Sequence, residues 1–161
     1  MEELYRSYLT FLRSMSQGLE RLTDLAEKKY VAAQTDDLLT LNDLLNQEQA
    51  QSLNFRGLEL TRDKLLPKLG LTNVPLSKVP DHFPPAMQAE ARETAAALAG
   101  RYAAYRKASG KARMLLEQNL REVDHAIAQM GGPPAGSEAG PGYQKEAEVA
   151  PPPSMKTDFR A

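Results

Sequence analysis

The chain contains no cysteine and no tryptophan. Without cysteine it has no disulfide, no zinc–thiolate centre and no thiol nucleophile, a composition that fits a reducing cytoplasm. Aromatic residues make up only 6% of its 161 residues, so it has leucine and alanine to bury but few large rings. Such a core suits helix packed on helix better than a sandwich or a barrel. An excess of charge of one sign is lacking too. The formal net charge is −1, so no global basic field points to nucleic acid or to an anionic membrane. There is no apolar run long enough to span a bilayer. The opening MEELYRSYLTFLRSM does not read as a signal peptide. Glu2 and Glu3 sit where basic residues belong, and Arg6 and Arg13 interrupt the apolar run.

Catalytic signatures are missing as well. The chain has no G-x-x-x-x-G-K-[ST], G-x-G-x-x-G or G-x-S-x-G, so phosphate cradling and serine-hydrolase chemistry find no support. Its two histidines are far apart in sequence. His82 lies in a proline-rich stretch, and His125 follows Glu122 and Asp124 on a helical one. Glu122 and His125 can share a helix face, but without a second pair of ligands they make a poor metal site. No cofactor is implied, and the expectation is a binding protein rather than an enzyme. The stretch RYAAYRKASGKAR, Arg101 to Arg113, is locally basic with Tyr102 and Tyr105 interleaved. Both tyrosines fall on an apolar seam, which favours core roles over contact with nucleic acid.

What is present is helical periodicity. No proline occurs from Glu2 to about Ala33, and Tyr5, Tyr8, Leu12, Met15, Leu19, Leu22 and Ala26 recur by alternating steps of three and four. Leu4, Leu9, Phe11 and Leu25 widen this face enough for two neighbours. In AAQTDD the rhythm breaks, with Thr35 as the expected N-cap of a second helix. That helix runs to about Leu69, with Leu38, Leu41, Leu45, Leu65 and Leu69 as its apolar positions. Its middle is polar. Continuing the heptad from Leu38 through Leu45 lands on Glu48, Ser52, Phe55, Glu59 and Arg62. Polar seam residues can fix register. The simpler expectation is that the helix turns slightly and hands these groups to solvent.

Gly70 fits a helix stop, and Pro75, Pro80, Pro84 and Pro85 then forbid a continuous helix. Leu71, Val74, Leu76, Val79 and Phe83 are apolar enough to pack this segment as an extended strap. A third helix begins at Pro84 or Pro85, and its seam reads Ala91, Ala95, Leu98, Tyr102, Tyr105, Ser109, Ala112 and onward through Leu116. Gly100 and Gly110 are places where it could bend. From Gly131 to Ala161 eleven residues are Gly or Pro, a segment that cannot offset its own ordering entropy, so a disordered tail is expected.

The expected fold is therefore all-α. It is an elongated, coiled-coil-like antiparallel three-helix bundle, with helices at about 2–33, 36–69 and 85–130. The bundle domain covers 1–130 and the tail 131–161.

The order of features resembles the FlgN family of flagellar type III export chaperones. A helix carries Leu19, Leu22 and Leu25, followed by AEKKYVAAQTDDLLTL across a short turn. The next ends in R-x-x-L-L-x-x-L-G-L, here Arg62, Leu65, Leu66, Leu69, Gly70 and Leu71. After a linker, a long helix ends in L-L-x-x-x-L-x-x-V, here Leu115, Leu116, Leu120 and Val123. Two departures stand out: Glu48 where the family often has lysine, and Ser109, Gly110 and Ala112 where it tends to have asparagines. The resemblance covers roughly residues 5 to 130. It implies a cytoplasmic chaperone that binds the C-terminal helices of the hook–filament junction proteins, FlgK- and FlgL-like. It keeps them unpolymerised and delivers them to the export gate. A helix-in-groove mode needs no catalysis. The alternative is a structural coiled-coil adaptor acting by self-association.

The candidate partner-binding residues are Leu115, Leu116, Leu120, Val123, Ile127 and Met130; the last five line one face of the last helical stretch, and Leu115 opens its L-L-x-x-x-L-x-x-V motif. Helices of the expected lengths leave the third overrunning its neighbours by roughly 20 Å. Either the protein's own core buries this stripe, or a client helix does, assisted by the tail.

Overall fold

The computed structural model describes residues 1–131. All of its regular structure is helical, and no strand occurs among the described residues. Helix α1 spans Glu2–Gln34 and α2 spans Leu38–Leu69. A 3₁₀ segment follows at Leu76–His82, then α3 at Pro85–Gln129. The expected tail lies outside the described residues apart from Gly131.

Helix α1 is the shared partner of the other two: it packs against both α2 and α3. Its apolar face is wide because Leu9, Phe11 and Leu25 are buried beside the main seam of Tyr8, Leu12, Met15, Leu19, Leu22 and Ala26. Along α1 and α2 the contacts run in opposite order. Gly18 meets Phe55, and further along α1 the ammonium of Lys29 meets Glu48. Along α1 and α3 they run in the same order. Arg13 pairs with Glu90, Glu20 with Arg101, Lys111 lies over the Tyr30 ring, and Asn119 reaches Ala33.

The α1–α2 turn corrects the expected cap. Thr35 closes α1 instead of opening α2. Asp36 takes the left-handed backbone conformation (φ 52°), and the Asp37 N–H donates back to the Ala32 carbonyl at 2.9 Å. The N-cap is Asp37, whose carboxylate accepts from the Thr40 N–H at 3.1 Å. These bonds hold the Asp37 carboxyl below its ordinary pKa, the Thr40 hydroxyl being the larger influence and its N–H the next. Three consecutive residues, each able to cap, hide this choice from a sequence reading. The far end of α2 closes the same way, with glycine at the left-handed position. Gly70 has φ 66°, and the Leu71 N–H donates to the Leu66 carbonyl at 2.9 Å.

The segment after α2 is not an extended strap throughout. Leu76–His82 winds into 3₁₀ turns. Proline at 75 and 80 fixes φ without demanding extension. The segment still packs as its side chains require, with Leu71, Leu76, Val79 and Phe83 buried. The Phe83 ring stacks against Tyr5 at 4.7 Å between centroids, and the Tyr5 hydroxyl donates to the His82 carbonyl. Pro85 occupies the first turn of α3, which then continues unbroken through Gly100 and Gly110.

The polar middle of α2 does not turn outward, which corrects the simpler expectation. Glu48, Ser52, Phe55, Glu59 and Arg62 are all buried or half-buried. It is Leu38, the start of the assumed seam, that is 70% exposed. The inward line instead begins at Leu41 and Leu44. Two contacts hold it. The ring of Phe55 is fully buried against α1 at Gly18, where a Cβ would stand 2.8 Å from the ring tip. About two helical turns nearer the start of α2, Glu48 meets Lys29 at 2.6 Å, with both side chains 15% exposed or less. Tyr105 of α3 lies in the same layer. Burial pushes its phenol pKa up, while a hydrogen bond with Ser109 acts the other way.

Removing one partner of such a pair leaves an uncompensated charge in a largely dry site, which costs about 3–5 kcal/mol. Glu48→Ala is therefore expected to lower the melting temperature by many degrees. Lys29→Met with Glu48→Met is expected to restore most of that loss in a thermal melt. A double variant no better than the single would show the pair is not what stabilises this layer. Glycines in α1 and α3 are expected to respond in opposite senses. Gly100→Ala and Gly110→Ala meet open space and gain about 0.5–1 kcal/mol from helix propensity. Gly18→Ala forces the Phe55 ring to move, and overpacking of about 1–3 kcal/mol outweighs the propensity gain. Denaturant titration of the three variants reads the sign of each.

Candidate partner-binding surface

The carboxamide of Asn119 donates to the Ala33 carbonyl at 3.0 Å. That bond satisfies one of the orphan carbonyls in the last turn of α1. It also places Asn119 level with the end of α1. Helix α3 continues for ten more residues, Leu120 to Gln129, or about 15 Å at the helical rise. The overrun thus lies at the apolar end of α3. Its alanine-rich beginning is engaged by the 3₁₀ segment and α1, with Ala91, Thr94, Ala95 and Leu98 buried.

The six candidate residues divide at this level. Leu116 is 4% exposed and belongs to the protein's own core. Leu115 is half-buried and packs against that core. Beyond Asn119 none of the stripe side chains is fully buried. Leu120 and Ile127 are half-buried, Val123 is 49% exposed and Met130 is 80% exposed. The flanks are polar: Gln118 donates to Glu122, and the Gln129 amide lies 3.1 Å from the His125 ring. This is one end of an amphipathic helix whose apolar side has lost its neighbours.

The turn at Thr35–Asp37 brings the first residues of α2 to the same end of the molecule. There Leu38 and Leu39 are 70% and 87% exposed, and Val31 of α1 is also exposed. Heptad spacing assigns Leu38 to a seam and gives Leu39 no mark. The Asp37 cap is the signal for both: helical side chains lean toward the N-terminus, and a residue in the first turn has no preceding turn to pack on.

The other chemistry-bearing residues are dispersed. Nδ1 of His82 lies 3.1 Å from the Lys78 carbonyl, and His125 is on the overrun of α3. Among the described residues no group of three or more His, Cys, Asp or Glu side chains is placed to hold a metal ion. None of the described helices is long and apolar enough to cross a membrane. The basic stretch of α3 is partly engaged within the molecule. Arg101 pairs with Glu20, Arg106 lies over Tyr102, and Lys111 over Tyr30. Tyr105 is a core residue, and Tyr102 is half-buried beside it.

Arg62, the first residue of the R-x-x-L-L-x-x-L-G-L run, also has a structural place. It lies in a pocket with Tyr8, Phe11, Leu12 and Met15 of α1 and with Val74 and Leu76 of the following segment. Leu65, Leu69 and Leu71 of the same run are buried. The motif thus fastens the end of α2 and the segment after it onto α1.

No protein-family model matches the chain, and neither a curated protein nor a solved structure is significantly similar to it.

If Leu116 belongs to the core and the overrun does not, their substitutions separate cleanly. Leu116→Ala is expected to cost about 2–5 kcal/mol of stability. Val123→Ser and Met130→Ser are each expected to change it by less than about 0.5 kcal/mol. Denaturant midpoints of the three variants check this, and equal losses would place the overrun inside the core.

Proposed function

We propose that this protein is a non-enzymatic, cytoplasmic export chaperone of the FlgN type. Its three helices form an elongated antiparallel bundle that offers the free end of α3 to an amphipathic client helix. The observation that carries this reading is the overrun. A run of Leu120, Val123, Ile127 and Met130 continues the core seam past the last covering residue of α1, flanked by polar groups on either side. A secretion client must be held unpolymerised, and its assembly helix needs an apolar surface to lie against. The overrun, about 15 Å long, supplies roughly three turns of such a surface. Leu38 and Leu39 at the same end widen what is available.

The resemblance names the client as the C-terminal helix of a hook–filament junction protein, FlgK- or FlgL-like, and export-gate components as the recipient. The pattern of R-x-x-L-L-x-x-L-G-L and the leucines of the last helix supports it. Leu116 has a core role in this reading, and the contact is carried by the residues beyond Asn119.

The test uses the full chain and a synthetic C-terminal helix of a hook–filament junction protein. Burying each large apolar side chain is worth about 1.5–3 kcal/mol. Leu120→Asp with Ile127→Asp is therefore expected to weaken binding a hundredfold or more by calorimetry, with little change in melting temperature. Unchanged affinity in a folded double variant would reject the overrun as the client surface. Absence of binding by the unaltered chain would reject the client.

A further inference from the structure

Helix α2 is apolar on two opposite sides. The inner side carries Leu41, Leu44, Phe55, Leu65 and Leu69. The outer side carries Leu53 and Leu60, one heptad apart and 64% and 63% exposed. Two small residues, Ala50 and Gly57, share their face and are exposed as well. A Cβ on Gly57 would meet nothing within 4 Å, so that part of the surface is open. The face is closed at its ends by opposite charges. Asp43 lies toward the start of α2 and Lys64 toward its end, both exposed and both on the same three-and-four spacing.

We propose that this outer face of α2 pairs with the same face of a second copy of the chain, antiparallel and about a two-fold axis near Leu53. Charge complementarity selects both the occupant and the direction. In the antiparallel register Asp43 of each copy faces Lys64 of the other, giving two equivalent opposite-charge contacts. Ala50 faces Gly57, which lets the backbones approach closely, and the two Leu53 side chains lie on either side of the axis, which falls between residues 53 and 54. The parallel alternative sets Asp43 against Asp43 and Lys64 against Lys64, and so is repelled at both ends. A self-complementary patch of this kind is what an isologous dimer requires. The contact spans about 30 Å of helix between Asp43 and Lys64. Asp43 also accepts from Gln47 at 2.8 Å, a bond within the helix that leaves its second carboxylate oxygen for the partner.

The pairing does not rest on the chaperone reading, since it uses neither the overrun of α3 nor a client. Sedimentation equilibrium of the full chain across micromolar concentrations is expected to report a reversible monomer–dimer equilibrium that weakens with salt. Gly57→Leu has room in the monomer and should keep or raise helicity and melting temperature, yet it should abolish the dimer. Asp43→Lys should raise the dimer dissociation constant about tenfold, and Asp43→Lys with Lys64→Asp should bring it back. A chain that stays monomeric throughout would overturn the proposal. So would a dimer that survives Gly57→Leu and ignores the charge reversal. Should Gly57→Leu lose helicity, Leu53→Glu with Leu60→Glu takes its place, with the same two outcomes.

Discussion

Everything in this fold depends on one helix being buried from two sides. The two seams of α1 meet α2 on one flank and α3 on the other, and its thirteen buried residues are more than either neighbour supplies. Helix α2 contributes five buried residues from a helix of nearly the same length, and it depends on α1 for most of them. A helix with so narrow an apolar strip would not hold its register by leucine alone. The Lys29–Glu48 pair and the Phe55–Gly18 contact supply position-specific constraints instead. A ring that fits only where a glycine stands opposite, and a charge that finds its partner in only one register, both penalise a slip of one turn far more than interchangeable leucines would.

The same arrangement explains why the helices end where they do. Both ends of α2 are set by local capping: the Asp37 carboxylate caps its first turn and the left-handed Gly70 closes its last. The α1–α2 turn is therefore fixed to within a residue, and so is the level at which α1 stops covering α3. Asn119 marks that level by bonding to the last turn of α1. Because α3 has 45 residues and its start is tied to α1 through the 3₁₀ segment, the surplus length emerges at one end. Surface exposure of Val123 and Met130 is a consequence of helix length and of where α3 is anchored, not of weak packing along the shared part.

Much of the helical content was legible in the sequence, because the evidence for it is local. Prolines, glycines and three-and-four spacing mark α1, the end of α2 and the start of α3 without reference to anything distant. What escaped was non-local. Thr35, Asp36 and Asp37 can each cap a helix, and only the path back to Ala32 selects among them. Glu48 looked like a solvent residue because its countercharge, Lys29, belongs to another helix with no sequence mark of the pairing. Leu116 and Val123 look alike in a heptad, yet one is core and the other surface. Their difference is set by how far α1 extends beside them, which is a property of the assembled molecule.

The double-faced character of α2 bears on its polarity as well. A helix with leucines at Leu53 and Leu60 on one side and Phe55 on the other has apolar contributions that nearly cancel around its axis, and so reads as non-amphipathic. In an ordinary surface helix the outer leucines would be replaceable by charge at no cost to the fold. Here they stand in heptad register with two small residues and between two opposite charges, the arrangement on which the proposed pairing rests. The chain thus spends its limited stock of large apolar side chains in three places: the α1-centred core, the end of α3 and the outside of α2. Only the first is needed to fold one copy. The other two lie on different elements and in different directions, one at the tip of the molecule and one along its flank. Occupation of either therefore leaves the other accessible, and a client at the tip and a second copy along the flank would not compete for the same residues.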